Sequence, residues 1–296
     1  MLPDPHILRR LETLSGKPIA HVQPIQRGYT PALRWLVDFT DGTTAFAKIG
    51  VTPITAIWLI KEYEIYDDLR APFMPRLLGW DDDPAAPILL LEDLRHAHWP
   101  PPWTEAQIQQ VLATLPEVWA SSAPYLHRVE DIRGVVTGWQ TVAEDPRPFL
   151  SLGLVTEKWL DAALPTFLSI NGGEVAHGDA LLHQDIRSDN ICLVGDRVIL
   201  IDWNLVCLGN PRFDVGFWLP SLEAEGGPPP ETILPDAGEI AGIISGFYAS
   251  RAGLPLIPDA PRVRHIQQVQ LKHALPWAVR ALGLPPLDGP KESPHV

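Results

Sequence analysis

The residues with the clearest chemical potential lie between positions 181 and 203. His183, Asp185 and Asn190 stand in an H-x-D-x-x-x-x-N order, and Asp202 follows twelve residues after Asn190, at the end of the apolar run Val-Ile-Leu-Ile. A carboxylate on a loop can meet a hydroxyl group and take or orient its proton. An amide oxygen and a second carboxylate are hard donors suited to Mg²⁺, which takes few protein ligands and keeps several waters. A loop acid, an amide and a strand-end acid together could serve transfer of a phosphoryl group to a hydroxyl.

A second H-x-D lies just upstream, at His177-Gly-Asp179, but the residue five after Asp179 is Gln184, whereas the residue five after Asp185 is Asn190. A loop acid is useful only with a metal-binding amide on the same loop, so Asp185 is the expected catalytic residue. Asp179 is expected to be a loop or helix-capping carboxylate. His183, two residues before the acid, is expected to brace the loop by hydrogen bonding rather than to react. Asn190 and Asp202 are the expected metal ligands. Asp202 sits where a buried strand emerges, and a carboxylate there without a metal or a base would be costly.

The elements that must position these groups can be read from hydrophobic period and turn residues. A short amphipathic helix over 6–14 precedes strands at 20–26 and 33–39; Asp41-Gly42 turns the chain into a returning strand over 43–49. A helix over 56–69 and strands at 77–80 and 88–91 complete a small β-rich part. Beyond the proline-rich stretch 96–103, Thr104-Glu-Ala-Gln107 is a capping-box pattern opening a helix to about Ser121. The remainder reads as helical, around 156–170 (with Pro165 a potential break), 213–219, 237–252 and 263–282, the last expected to kink at Pro276. The one exception is a pair of short strands, 191–194 and 198–201, joined at Gly195-Asp196.

The chain has 296 residues and a formal net charge of −13. That length favours two lobes. An acidic chain without Lys/Arg clusters argues against a nucleic-acid partner. No apolar run approaches the roughly 18 residues of a membrane span, and the N-terminus lacks a basic stretch leading into an apolar one. A cytoplasmic protein with no membrane partner is expected. Cys192 and Cys207 lie in or beside apolar segments without a C-x-x-C partner and read as small core residues. Of the tryptophans, Trp99, Trp103, Trp139, Trp159 and Trp218 read mostly as core, with one or two available to line an acceptor pocket by cation–π contact.

These motifs resemble the aminoglycoside phosphotransferase and choline kinase family, the small-molecule branch of the protein-kinase-like fold. The family's loop commonly reads H-G-D-x-x-x-x-N, its metal-binding strand ends in I-D-W or I-D-F, and a G-D-P-x-x-D follows. This chain has Gln184 in place of the usual Gly, then Ile201-Asp202-Trp203 and Gly209-Asn-Pro-Arg-Phe-Asp214. The resemblance implies an α+β, bilobal fold, with a small β-rich N-lobe over 1–93 and a larger, mainly helical C-lobe over 94–296. It implies ATP and Mg²⁺ as cofactors and a small-molecule hydroxyl acceptor. Lys48 would reach the phosphates, held by a helix Glu, and Glu62 with Tyr66 one turn on fits better than Glu64. The rival Lys61 lies on that helix. Gly28 and Thr30 would approach the phosphates, and backbone groups of Glu92, Asp93 and Leu94 would hold adenine. Asp214 would brace the catalytic loop.

The resulting expectation is an ATP-dependent transfer of the γ-phosphoryl group to a small molecule. A cationic acceptor is suggested by charge balance and family habit. Glu223, Glu225 and Glu231 would form either an acidic acceptor rim or a solvated acidic loop around 226–230. A protein kinase fits less well, because only eleven residues separate Asp202 from Asp214. A silent nucleotide-binding or scaffold protein on the same fold would lack the Lys, the loop acid or the metal acid, and all three are present.

Overall fold

The computed structural model describes residues 4–25, 31–123, 126–132, 134–258 and 260–289. The chain forms two compact units, Met1–Pro100 with Asp189–Leu205, and Pro101–Ser188 with Val206–Val296. This differs from a single division after residue 93: the second excursion returns to the first unit because its hairpin is bonded there. His98 and Leu193 exchange backbone hydrogen bonds at 2.9 Å, and the Leu200 N–H donates to Phe73 at 2.8 Å.

In the first unit, α1 (Pro5–Ser15) is capped by Asp4, whose carboxylate accepts from the His6 N–H. Strands β1 (Ile19–Pro24), β2 (Leu33–Phe39), β3 (Thr44–Ile49), β4 (Leu77–Asp81) and β5 (Ile88–Leu91) form an antiparallel sheet in the order β1-β2-β3-β5-β4. The alternation of side chains gives the sheet two different faces. One face carries Trp35, Val37, Phe39, Ala45, Ala47, Ile49, Ile88 and Leu90, buried with Ile7 and Leu11 of α1. Register sets out the other in cross-strand rows: Arg34–Lys48–Leu89 and Leu36–Phe46–Leu91. Helix α2 (Pro53–Leu69) follows β3, opened by a capping box between Thr52 and Thr55, and buries Ala56, Leu59, Glu62, Ile65 and Tyr66.

The hairpin β7 (Ile191–Val194) and β8 (Arg197–Leu200) also belongs to this unit. Gly195 at its turn has φ +60, a conformation glycine adopts without strain.

The second unit is mainly helical: α3 (Glu105–Trp119), α4 (Gly138–Glu144), α5 (Arg147–Leu150), α6 (Glu157–Leu168), α7 (Gly172–Ala176), α8 (Arg212–Ala224), α9 (Pro230–Ile233), α10 (Gly238–Ala252) and α11 (Arg262–Ala281). The expected capping box is present, with Thr104 and Gln107 bonded reciprocally. Pro165 does not end α6. It falls in the last turn, and Trp159, Leu160, Ala163 and Phe167 bury the helix on both sides of it. Phe167 stacks on Trp139 with ring centroids 4.0 Å apart.

A pair of three-residue strands, β6 (Ala180–Leu182) and β9 (Cys207–Gly209), was not expected. They pair antiparallel and anchor the chain directly before His183. No helix among the described residues is long and apolar enough to cross a membrane.

Candidate active site

In the first unit, β3 brings Lys48 to two acids. Its Nζ lies 2.5 Å from Oε2 of Glu62 on α2 and 2.8 Å from Oδ1 of Asp202 just past β8. Lys48 and Glu62 are both buried. Burial works to lower the Lys48 pKa, but the charges of Asp202 and Glu62 outweigh it, so the ammonium stays charged. Burial pushes the Glu62 carboxyl up, against the pull of Lys48. Lys61 and Glu64 are exposed on the same helix, turned about 100° and about 200° from Glu62.

Asp202 has φ +68, a left-handed conformation that Asp tolerates better than most residues. The following Trp203 is fully buried; its Nε1–H donates to the Leu200 carbonyl and its ring lies 5.6 Å from Phe73. That indole fixes the turn on which the carboxylate stands. Asn190 is buried, and its carbonyl accepts from the Ile201 N–H at 3.0 Å. The backbone thus ties Asn190 to the residue beside Asp202. An amide oxygen and a carboxylate form a hard donor set, and it fits a Mg²⁺ ion that completes its shell with water and phosphate.

The segment after β5 is held by charge. Arg197 of β8 forks onto Glu92 with both distances 3.0 Å, and also reaches the carbonyls of Pro72 and Met74. Burial alone would raise the Glu92 carboxyl, but Arg197 and the Arg76 N–H hold it below its usual value. The Glu92 N–H donates to the Arg76 carbonyl at 2.9 Å. The Asp93 carboxylate is 2.5 Å from Nε of Arg95, which also pairs with Asp38 of β2 at 2.7 Å. Gly28 and Thr30 lie outside the described residues.

In the second unit, the loop after β6 is organised by Asp214, in the first turn of α8. Its buried carboxylate accepts from the backbone N–H groups of His183 (3.0 Å) and Gln184 (2.8 Å) and from Trp119 Nε1–H (3.1 Å). Burial outweighs these donors and pushes its pKa up to about 6. Gln184 has φ +66, which accounts for glycine being usual at this position. Its side chain is accommodated, with Oε1 accepting weakly from the Cys207 thiol at 3.6 Å. His183 is buried and its Nδ1 accepts from the Asp185 N–H at 3.3 Å, the expected bracing contact. Asp185 itself is paired with Arg187 at 3.1 Å. Asp179 is outside this arrangement, paired with Arg128 at 2.6 Å on the surface.

The far end of α8 holds the same loop. Ser188 Oγ hydrogen-bonds Oε2 of Glu225, and the Trp103 Nε1–H donates to both, at 3.1 and 2.8 Å. The other two acids of the expected rim are paired as well: Glu223 with His273 at 2.9 Å, and Glu231 with Arg280 at 2.6 Å. Glu231 stays exposed in its pair, and Glu223 and Glu225 are half-buried. Cys192 and Cys207 are buried, and burial raises both thiols.

Sequence reasoning overlooked Arg34, Phe46, Arg187, Arg197 and Ser188. For Arg34 and Phe46 the available signal was two-residue alternation from Lys48 across the Asp41-Gly42 hairpin.

An antiparallel sheet with a capped helix, a Lys–Glu–Asp cluster and a braced acid loop define a protein-kinase-like phosphotransferase fold. The sequence profile of the phosphotransferase enzyme family matches residues 21–254, and the chain belongs to that family. Among solved structures it is similar to the spectinomycin phosphotransferase APH(9)-Ia in complex with ADP and spectinomycin, with 15% identity, a TM-score of 0.60, and coverage of 96% of this chain and 99% of that one. A choline/ethanolamine kinase family protein from Mesorhizobium loti matches at 13% identity and a TM-score of 0.59, covering 89% and 92%. A thermostable mutant of the aminoglycoside phosphotransferase APH(4)-Ia, in ternary complex with AMP-PNP and hygromycin B, matches at 13% identity and 0.58, covering 94% and 98%. No curated protein sequence matches it significantly.

Proposed function

We propose that this protein transfers the γ-phosphoryl group of ATP to a hydroxyl of a small molecule. The observation that carries the reading is the Lys48 ammonium held 2.5 Å from Glu62 and 2.8 Å from Asp202. A buried lysine fixed between two carboxylates is costly to build for stability alone, and it is the group that phosphoryl transfer needs against the α and β phosphates.

Each residue then has a task. Phe46 and Leu36, in the row next to Lys48, offer a flat apolar surface to adenine, whose edge is met by backbone groups of Glu92 to Leu94. Glu62 keeps Lys48 extended and charged. Asn190 and Asp202 would hold Mg²⁺, which when bound screens the phosphate charge. Asp185 accepts the hydrogen bond of the acceptor hydroxyl and orients its oxygen for attack; as the O–P bond forms, the hydroxyl proton passes to Asp185 or to solvent and ADP leaves. Asp214 fixes the backbone before Asp185, and Gly28 and Thr30 remain the expected phosphate-loop donors.

The acceptor is a hydroxylated small molecule, an assignment supported by the aminocyclitol and aminoglycoside bound in the similar structures. An ADP-release screen across hydroxylated amines, amino alcohols and sugars, with Asp185→Ala as the blank, tests the reading. At least one acceptor should raise wild-type turnover a hundredfold or more over the variant, in line with the ~10²–10⁴-fold worth of such a group. Turnover equal in both proteins across the panel would overturn it.

A further inference from the structure

Lys48 cannot hold a triphosphate by itself. An ammonium has three donors, and two of those on Lys48 already point at Glu62 and Asp202. Without the Mg²⁺ expected on Asp202, the three groups offer a triphosphate no net positive charge, so the protein's own contribution at this point is small.

Directly across the sheet stands a second cation. Arg34 of β2 pairs in register with Lys48 of β3, so the two side chains share a face of the sheet about 5 Å apart at their bases. It is half-buried, with Nη1 donating to the Ala32 carbonyl at 2.9 Å. Burial lowers its pKa, while the charges of Asp202 and Glu62 act to raise it. The side chain therefore lies within electrostatic reach of both acids. With Arg34 included, two cations balance two carboxylates, and the cluster becomes neutral before any ligand arrives.

We propose that Arg34 is a nucleotide-binding residue: its guanidinium, beside Lys48, contacts the phosphate chain of the nucleoside triphosphate. The proposal rests on the phosphotransferase reading and deepens its nucleotide site. Guanidinium suits the task because its planar donors can grip two phosphate oxygens at once, whereas Lys48 supplies a point charge already shared. Its place on the strand also fits. Arg34 is the second residue of β2, four residues after Thr30 in sequence. The rest of the row assigns the neighbouring positions: Leu36–Phe46–Leu91 is apolar and leads to the base-binding segment, so the base and the phosphates fall on successive rows of one face.

A purely structural counter-ion to Glu62 and Asp202 would give a different pattern of losses, and calorimetric titration separates the two. Wild type, Arg34→Gln and Arg34→Lys are titrated with ADP, with a non-hydrolysable ATP analogue, and with adenosine by competition. Arg34→Gln should weaken both phosphorylated ligands tenfold or more and change adenosine less than twofold. Arg34→Lys should recover part of the loss, and the salt dependence of ADP affinity should become shallower in Arg34→Gln. Equal weakening of all three ligands, or unchanged ADP affinity in a folded variant, would overturn the assignment to Arg34 alone. If wild type binds neither the ATP analogue nor ADP, the phosphotransferase reading itself falls. Should Arg34→Gln fail to fold, Arg34→Lys must still weaken ADP relative to adenosine for the proposal to stand.

Discussion

Asp214→Asn tests how α8 holds the catalytic loop. The wild-type carboxylate is fully buried and accepts from three donors, yet burial raises its pKa from 3.8 to about 6. Because the folded value lies above the unfolded one, this group's contribution to stability is complete below about pH 4. It is lost as pH rises through about 6. A rise of that size corresponds to ~3 kcal/mol in full, and roughly half of it, ~1.5 kcal/mol, falls between pH 5 and 7.5. The asparagine variant has nearly the same shape and does not titrate. It keeps one acceptor oxygen but turns an N–H toward one of its former donors, at a cost of about 1–3 kcal/mol. The stability gap in favour of wild type should therefore be widest at acid pH and narrow by ~1.5 kcal/mol between pH 5 and 7.5. Denaturant unfolding of both proteins at matched ionic strength measures the gap, and ionisations common to both cancel. A gap that stays flat, or widens as pH rises, would refute the account of Asp214 as a carboxylate destabilised by burial.

Two further outcomes follow from the packing around the same loop. Glu225→Ala leaves Trp103 Nε1 and Ser188 Oγ without their shared carboxylate. The variant should lose ~1–3 kcal/mol of stability and lower kcat more than it raises KM, with Glu225→Gln recovering most of both; unchanged kcat in the alanine variant would count against a bracing role. Gly138→Ala would place a Cβ 2.1 Å from the Gly246 carbonyl, where α4 crosses α10. Neither backbone can yield cheaply, so a loss of ~1–3 kcal/mol or more is expected, read as a drop in the unfolding midpoint, and an unchanged midpoint would show that the crossing is looser than it looks.

The parts of this protein that could be read in advance are those whose signal is local. The long strands show a two-residue alternation, α3 carries its capping box in four consecutive residues, and Asp185 and Asn190 share one short loop. Lys48 could be placed because the Asp41-Gly42 turn fixes which strand it is on, and Glu62 because, with Tyr66 one turn on, it resembles the family's helix pattern. β6 and β9 were missed for the opposite reason. Three residues are too few to show alternation, and their partner lies far along the chain. Arg34 was missed because its meaning depends on register. That it faces Lys48 follows only from carrying the alternation through the Asp41-Gly42 hairpin, which sets the pairing of β2 with β3.

Charge was the least transferable signal. A net charge of −13 suggested acids waiting for a cationic acceptor, yet Glu62, Glu92 and Glu231 are ion-paired within the fold, and Glu223 and Glu225 are hydrogen-bonded to His273 and to Trp103 and Ser188. Net charge sums over side chains, whereas a binding site depends on which of them remain uncompensated at one place. Lys48, Glu62 and Asp202 show this on a small scale. Two carboxylates surround one ammonium there, and the neighbouring strand sets Arg34 in register beside it. Cross-strand register can thus place two cations side by side however many carboxylates the rest of the chain carries.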